Sequence, residues 1–491
     1  MMLFVLGCQI QPTNKGVSIV DTSLAESGTS IIPPLFVQQE TVPSVVHDNY
    51  VMSTWSLTLE HPDAYPSLFE GETPTFYVLH PDPLPPQAPI MWWFHGSAFG
   101  LDIEAPPRGC QSDIVIPAAK RVVSSENMAA ALLAQNGWIV VAPRNDWCDM
   151  WRGQGQDDIA DPNHHFGGHH LSEVLSFVRA GKTGFTPDTE ALWGTSMGGV
   201  GAMQAQVLHG PFSSLIMDSS PSSALLFYAL EHGPNDPAAL EHIFGGPPFN
   251  ADGSPTEFYG SYQLASAEYL LESGQLDLPL FAHFNALDTV TPVNHAHAIR
   301  DAIANHGIPG SGVHDHNHPY PGQDSHVQTL GGPNFDQGYT ASAMLHFSEG
   351  QSVRWIEAET PCPSCTAGEI ITASSDLELK SLSGGAGRLL SETDSGIFWA
   401  QPIDPQTKHI QPMLSRLTAS GPIRVHFFNQ ETPLETTSLS PEWFQGSGLE
   451  VVRNGLLESY IPVPPTTTRL SIELPPNSNA ILDGVLIFQE R

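Results

Sequence analysis

Between about residue 50 and residue 350, short apolar runs alternate with stretches of helical period. No other feature restricts the fold as much. Strands are expected at 75–80, 90–94, 138–142, 191–193, 214–217 and 278–284. Helices are expected between them, at 125–135 with Ser125 as cap, 171–180, 199–208, 292–306 and near 340–348. Strands that are apolar throughout need cover on both faces. A chain alternating them with helices builds a mostly parallel sheet between two helical layers. The texture changes after about 350. Runs at 423–428, 469–473 and 484–488 are strand-like, without helical period, and are punctuated by Pro, Ser and Thr. They predict an all-β sandwich.

The expected division is therefore an α/β domain over 50–355, a linker over 356–367 and a β-sandwich over 368–491. A stretch at about 221–277, rich in Phe, Tyr and Leu, lies between two sheet strands and predicts a helical lid. An apolar lid favours a bound group that is itself apolar or aromatic. At 491 residues the chain is long enough for a large core without covalent staples. With 18 Lys and Arg against 52 Asp and Glu, its formal net charge is -34. That deficit of cations argues against nucleic acid as a partner and against an electrostatic membrane patch. No stretch approaches the roughly 20 apolar residues of a membrane span.

The motif carrying the chemistry is Gly194-Thr-Ser196-Met-Gly198, placed between a short apolar strand and a small-residue helix. In that context a G-x-S-x-G forces the serine onto a tight turn with its hydroxyl above the sheet edge. A serine hydroxyl is a weak nucleophile and needs a base that is itself oriented by an acid. Asp288 follows a strand, in Asn285-Ala-Leu-Asp288-Thr-Val-Thr-Pro292. His326 follows later in a polar loop, beside Ser325. Asp218, at the end of the strand after the elbow, is a rival acid; the position of Asp288 one strand later favours it. The oxyanion needs two backbone N–H donors. Met197 supplies one. The loop His95-Gly-Ser-Ala-Phe-Gly100 supplies the other, through Ser97, with Ala98 as second choice.

His95-Gly96, the elbow around Ser196, Asp288-x-x-x-Pro292 and Ser325-His326 together resemble the α/β-hydrolase superfamily of serine esterases and related peptidases, across roughly 50–350. The resemblance implies hydrolysis through an acyl-enzyme, with Ser196 attacking, His326 moving the proton and Asp288 orienting it. It implies no cofactor. The loop at 95–100 departs from the H-G-G-G type, so that lipase subgroup is not implied. A prolyl-oligopeptidase-type peptidase is the alternative within enzymes; the room before residue 50 is too small for its propeller. The C-terminal strands resemble the jelly-roll modules attached to secreted hydrolases. A second alternative is an inert hydrolase domain whose sandwich grips a polysaccharide or polymer.

Further expectations concern export and the substrate cleft. Met1-Met-Leu-Phe-Val-Leu-Gly-Cys8 resembles a bacterial lipoprotein signal, although no Lys or Arg precedes the apolar run. It predicts a lipid anchor at Cys8, a polar tether over 9–49 and an exported, periplasmic or extracellular protein. The other cysteines are expected to pair as 110–148 and 362–365. His95, Trp147 and Trp151 are expected to contact an ester substrate, with a polymeric one left open; Trp147 and Trp151 lie in the long connection 143–170. The clusters His164-His-Phe-Gly-Gly-His-His170 and His314-Asp-His-Asn-His318 have no closed-site spacing, and no metal is expected. The oligomeric state is not readable.

Overall fold

The computed structural model describes residues 35–43, 50–58, 75–96, 123, 127–143, 166–230, 240–241, 244–285, 288, 290–306, 308–316, 335–357, 381–382, 385–386, 388–389, 396–441, 458–475 and 479–491. Its first element is already a departure. Leu35–Pro43 is a strand, β1, in the region expected to be a tether, and it pairs antiparallel with β2 (Tyr50–Thr58). Strands β3 (Thr75–Pro81), β4 (Gln87–Phe94) and β5 (Ile139–Pro143) follow. Helix α1 (Met128–Gln135) joins the last two. Its N-cap is Asn127, not Ser125: the Asn127 side chain accepts from the backbone N–H of Ala129 and Ala130, at 3.1 and 3.4 Å.

The alternation continues with α2 (Phe166–Arg179), β6 (Thr186–Thr195), α3 (Gly198–His209) and β7 (Leu215–Asp218). Short helices α4 (Ala224–Leu230), α5 (Tyr259–Leu264) and α6 (Ala267–Glu272) come next, then β8 (Leu280–Asn285), α7 (Asn294–His306), β9 (Gly312–His316) and α8 (Phe335–Ser348). Among the described residues the main sheet runs β1-β2-β3-β5-β4-β6-β7-β8-β9. β1 through β3 are antiparallel, β3 meets β5 antiparallel, and every pair from β5 to β9 is parallel.

Two apolar cores lie on opposite faces of this sheet. One packs Trp93 and Trp193 against Leu133 of α1 and Met344 and Phe347 of α8. The two indoles stack at 3.9 Å between centroids. The other packs Trp92, Leu192 and Met217 against α2, α3 and α7. Helices α4, α5 and α6 occupy the stretch expected to be a lid. Phe244, Tyr262 and Leu270 are fully buried and join the α3–α7 core, and the Gln204 side chain of α3 donates to the Leu264 carbonyl. These apolar side chains fill the insertion itself, so they no longer argue for an apolar bound group.

The boundary expected at 355 also moves. β10 (Gln351–Glu357) leaves α8 through Gly350, at φ +96°, and joins the sheet of the second domain. That domain contains two-residue strands β11 (Ser381–Leu382), β12 (Gly385–Ala386) and β13 (Arg388–Leu389), then β14 (Gly396–Pro402), β15 (Thr407–Thr418), β16 (Ile423–Asn429) and β17 (Thr432–Leu439). It ends with β18 (Ile461–Pro462), β19 (Arg469–Leu474) and β20 (Asn479–Glu490). Its main sheets run β10-β20-β15-β18 and β14-β19-β16-β17, all antiparallel. Ile410, Leu414, Val425, Phe427, Ile472 and Ile487 are buried together, as the sandwich expectation requires.

This core runs without a break into that of α8. The His346 ring stacks on Tyr460 at 3.7 Å, and His409 stacks at 4.2 Å from the same ring. The Arg491 guanidinium sits over Phe347, 4.3 Å from its centroid, and donates to the Phe347 carbonyl. Among the described residues no helix is long and apolar enough to cross a membrane.

Candidate active site

β6 ends at Thr195 and α3 begins at Gly198, so only Ser196 and Met197 make the turn. Ser196 has φ +52°, a left-handed conformation that a non-glycine residue adopts at a cost. The two outer glycines permit it. A methyl at Gly194 would fall 2.3 Å from Gly199 Cα, and one at Gly198 would fall 2.1 Å from the Phe94 carbonyl oxygen. Ser196 is buried and donates its N–H to the Asp218 carbonyl at 2.8 Å. Met197 occupies the N-cap position of the 12-residue helix α3. The dipole of such a helix favours negative charge at that end.

The exit of β4 runs beside this turn. A methyl at Gly96 would lie 2.8 Å from Ser196 Cβ and 3.5 Å from its Oγ. The segment proposed from sequence to supply the second oxyanion donor therefore begins against the serine. His95, expected to contact substrate, is buried, and its Nδ1 donates to the Gly96 carbonyl at 2.8 Å. That bond ties the ring to the exit of β4. Ser97, Ala98, Trp147, Trp151 and His326 lie outside the described residues, as do Cys8, Cys110, Cys148, Cys362 and Cys365.

The two candidate acids differ sharply in setting. Asp288 follows β8 and is almost fully buried; its Oδ1 accepts from the N–H of Val290 and of Thr291, each at 2.8 Å. Asp218 ends β7 with its side chain wholly buried, and its Oδ1 accepts from His283 Nδ1 at 2.9 Å. From sequence, His283 reads only as part of the apolar strand that forms β8. A histidine in the run Leu-Phe-Ala-His-Phe is a signal, but its partner depends on register.

From β2 onward the strand order, the helices on both faces, the left-handed serine between β6 and α3 and the carboxylate in the turn after β8 make one arrangement. The fold is that of the α/β-hydrolases. A nucleophile elbow in this fold lifts a hydroxyl over the carboxyl ends of the parallel strands, which is the chemistry the turn at Ser196 allows.

Among solved structures, this α/β-hydrolase-fold chain is similar to an S-formylglutathione hydrolase from Agrobacterium tumefaciens, at 15% identity and a TM-score of 0.41, covering 63% of this chain and 99% of that one. It is also similar to Pyrococcus horikoshii acylaminoacyl peptidase, at 13% identity and a TM-score of 0.38, covering 65% of this chain but about half, 48%, of the peptidase. A third is acetyl xylan esterase 1 from a Thermoanaerobacterium species, at 13% identity and a TM-score of 0.36, covering 59% and 84%. No protein-family model matches the chain, and no curated protein matches it.

Proposed function

We propose that the protein is an exported serine hydrolase that cleaves carboxylic esters through an acyl-enzyme. The observation carrying this reading is Ser196, held left-handed at a strand-to-helix turn with Gly96 against it. In the proposed reaction Ser196 Oγ attacks the ester carbonyl while His326 takes its proton. Asp288 orients the imidazole and stabilises its charged form. The tetrahedral oxyanion is received by the N–H of Met197, at the start of α3, and by that of Ser97. The alcohol leaves with the proton from His326, and water then enters with the same histidine as base. Cys8 as a lipid anchor, the cysteine pairs 110–148 and 362–365, and Trp147 and Trp151 as cleft walls belong to the same proposal. They rest on the sequence alone.

The test is hydrolysis of p-nitrophenyl esters of increasing acyl length, beside an aminoacyl-nitroanilide panel, by wild type and Ser196→Ala. Ester turnover that disappears in Ser196→Ala supports the reading. Turnover of nitroanilides alone would make the enzyme a peptidase. A folded wild type that turns over neither panel and is not labelled by a fluorophosphonate would transfer the function to the β-sandwich as a polymer-binding module.

A further inference from the structure

The segment Asp218-Ser-Ser220, at the end of β7, holds the nucleophile turn from below. Its contacts are specific. The Asp218 carbonyl accepts the N–H of Ser196 at 2.8 Å. Ser220 Oγ donates to the Gly194 carbonyl at 3.0 Å and lies within 3.2 Å of the Asp218 carbonyl. A methyl at Gly199 would fall 2.3 Å from Ser220 Cβ. Ser219 is itself left-handed, at φ +49°, and its N–H is bound by the His283 carbonyl at 2.8 Å. Two strained serines thus end adjacent strands, each tied to the next strand by its backbone N–H.

His283 holds this segment twice, through its carbonyl on Ser219 and through its ring on Asp218. Thr195, Asp218, His283 and His314 are successive cross-strand partners on β6, β7, β8 and β9, so their side chains share one face of the sheet. That is the face of Trp93 and Trp193, and Trp93 Nε1 donates to Thr195 Oγ1 at 2.9 Å. The Asp218 and His283 side chains are both 0% exposed. A carboxylate accepts only, so the proton on His283 Nδ1 points at Asp218. The His314 ring lies 5.5 Å from that of His283.

We infer that Asp218 and His283 are positioning residues for Ser196, a role that rests on the hydrolase reading above. Their hydrogen bond fixes the end of β7, and with it the carbonyl that holds the Ser196 N–H. Displacing a reacting atom by about 1 Å costs on the order of a hundredfold in rate. With both side chains 0% exposed, neither touches substrate, so the loss falls on kcat with KM unchanged.

Two substitutions separate geometry from charge. In Asp218→Asn an amide oxygen can still accept from His283, whereas Asp218→Ala leaves no acceptor. Asp218→Asn is expected to keep kcat on ester substrate within about tenfold of wild type, and Asp218→Ala to lose about a hundredfold, both with KM within about twofold. Asp288→Asn, run beside them, is expected to lose on the order of ten thousandfold. An Asp218→Asn loss as large as that of Asp288→Asn would make Asp218 a charged member of the triad and overturn the inference. So would an Asp218→Ala enzyme with wild-type kcat. If Asp218→Ala does not fold, Ser220→Ala, which removes the ties to the Gly194 and Asp218 carbonyls, should lower kcat by about threefold or more at constant KM; an unchanged kcat overturns the inference. A wild type that neither hydrolyses esters nor labels with fluorophosphonate overturns the hydrolase reading and this inference with it. A wild type that does both while Asp218→Ala keeps its kcat overturns this inference alone.

Discussion

A methyl group at Gly96 would press on Ser196 Cβ at 2.8 Å, whereas one at Gly198 would meet main chain, the Phe94 carbonyl, at 2.1 Å. The first obstacle is a β-carbon fixed to the turn's own backbone, so the turn must shift by a few tenths of an ångström. The second joins a strand to a helix and cannot. Gly96→Ala should therefore fold with a loss of about 1–3 kcal/mol and a lowered kcat, because what shifts is the proposed nucleophile. Gly198→Ala should lose more stability than that. Thermal melts of both variants check the order, which fails if Gly198→Ala is the milder. At Asp288 the prediction is chemical. Asparagine keeps an oxygen for the N–H groups of Val290 and Thr291, so Asp288→Asn should melt like wild type while losing activity on the order of ten thousandfold. At this scale Ser196 was legible because its flanking glycines answer a steric demand that any strand-to-helix elbow makes. The turn that holds Asp288 was legible from its place after a strand. His283 was not, since its bond to Asp218 exists only once β7 and β8 are in register.

Helix α7 carries a histidine into the core. His295 accepts at Nδ1 from the N–H of Ser222 at 3.1 Å, and Ser222 Oγ donates to the His295 carbonyl at 3.0 Å. The ring faces Phe227 at 5.7 Å between centroids. Burial lowers its pKa from 6.5 to about 3, because the charged imidazolium would lose its water. The sign follows from which state binds the proton. Between about pH 6.5 and 3 the unfolded chain takes it up and the folded protein does not. The contribution of His295 is thus present in full above 6.5 and falls by about 1.4 kcal/mol per pH unit below it. Urea midpoints should drop from pH 7 to pH 4.5 in wild type and drop less in His295→Gln; equal slopes would refute the assignment. The same residue type explains a strand the sequence did not reveal. β9 contains His314-Asp-His316, which reads as a polar loop, yet among the described residues it is the edge strand of a parallel sheet, with a neighbour on one side only. Edges tolerate polar residues that a central strand rejects. β1 is hidden for the same reason, since Gln38, Gln39 and Glu40 interrupt its apolar run on the opposite edge.

The two halves of the molecule share a strand and a core. The linker reading placed a boundary in Gln351–Glu357, but that segment pairs with β20 from Gln351 opposite Glu490 to Glu357 opposite Gly484. A run of seven residues between a helix and a Pro- and Cys-rich stretch carries too little pattern to say which domain owns it. The consequence is measurable. A piece cut at 368 leaves β20 without β10 and should show no cooperative melt as steep as one cut at 351. The whole chain should unfold in a single calorimetric transition, since Met344 and Phe347 are buried in the core that holds Ile410 and Phe488, and each such side chain contributes about 1.5–3 kcal/mol by leaving water. Two well-separated transitions would show the halves to be independent.

That shared strand also sets a clock on biosynthesis. β10 is made first, and its partner β20 follows roughly 120 residues later, a delay of roughly 6–24 s at about 5–20 residues per second. Throughout that interval the nascent chain carries an unpaired strand edge and the α8 face bearing His346, which Tyr460 and Phe488 do not yet cover. The growing polypeptide therefore needs a holdase for longer than the α/β half alone would require, and slow codons placed between the two strands would lengthen the exposure instead of helping the first domain to finish.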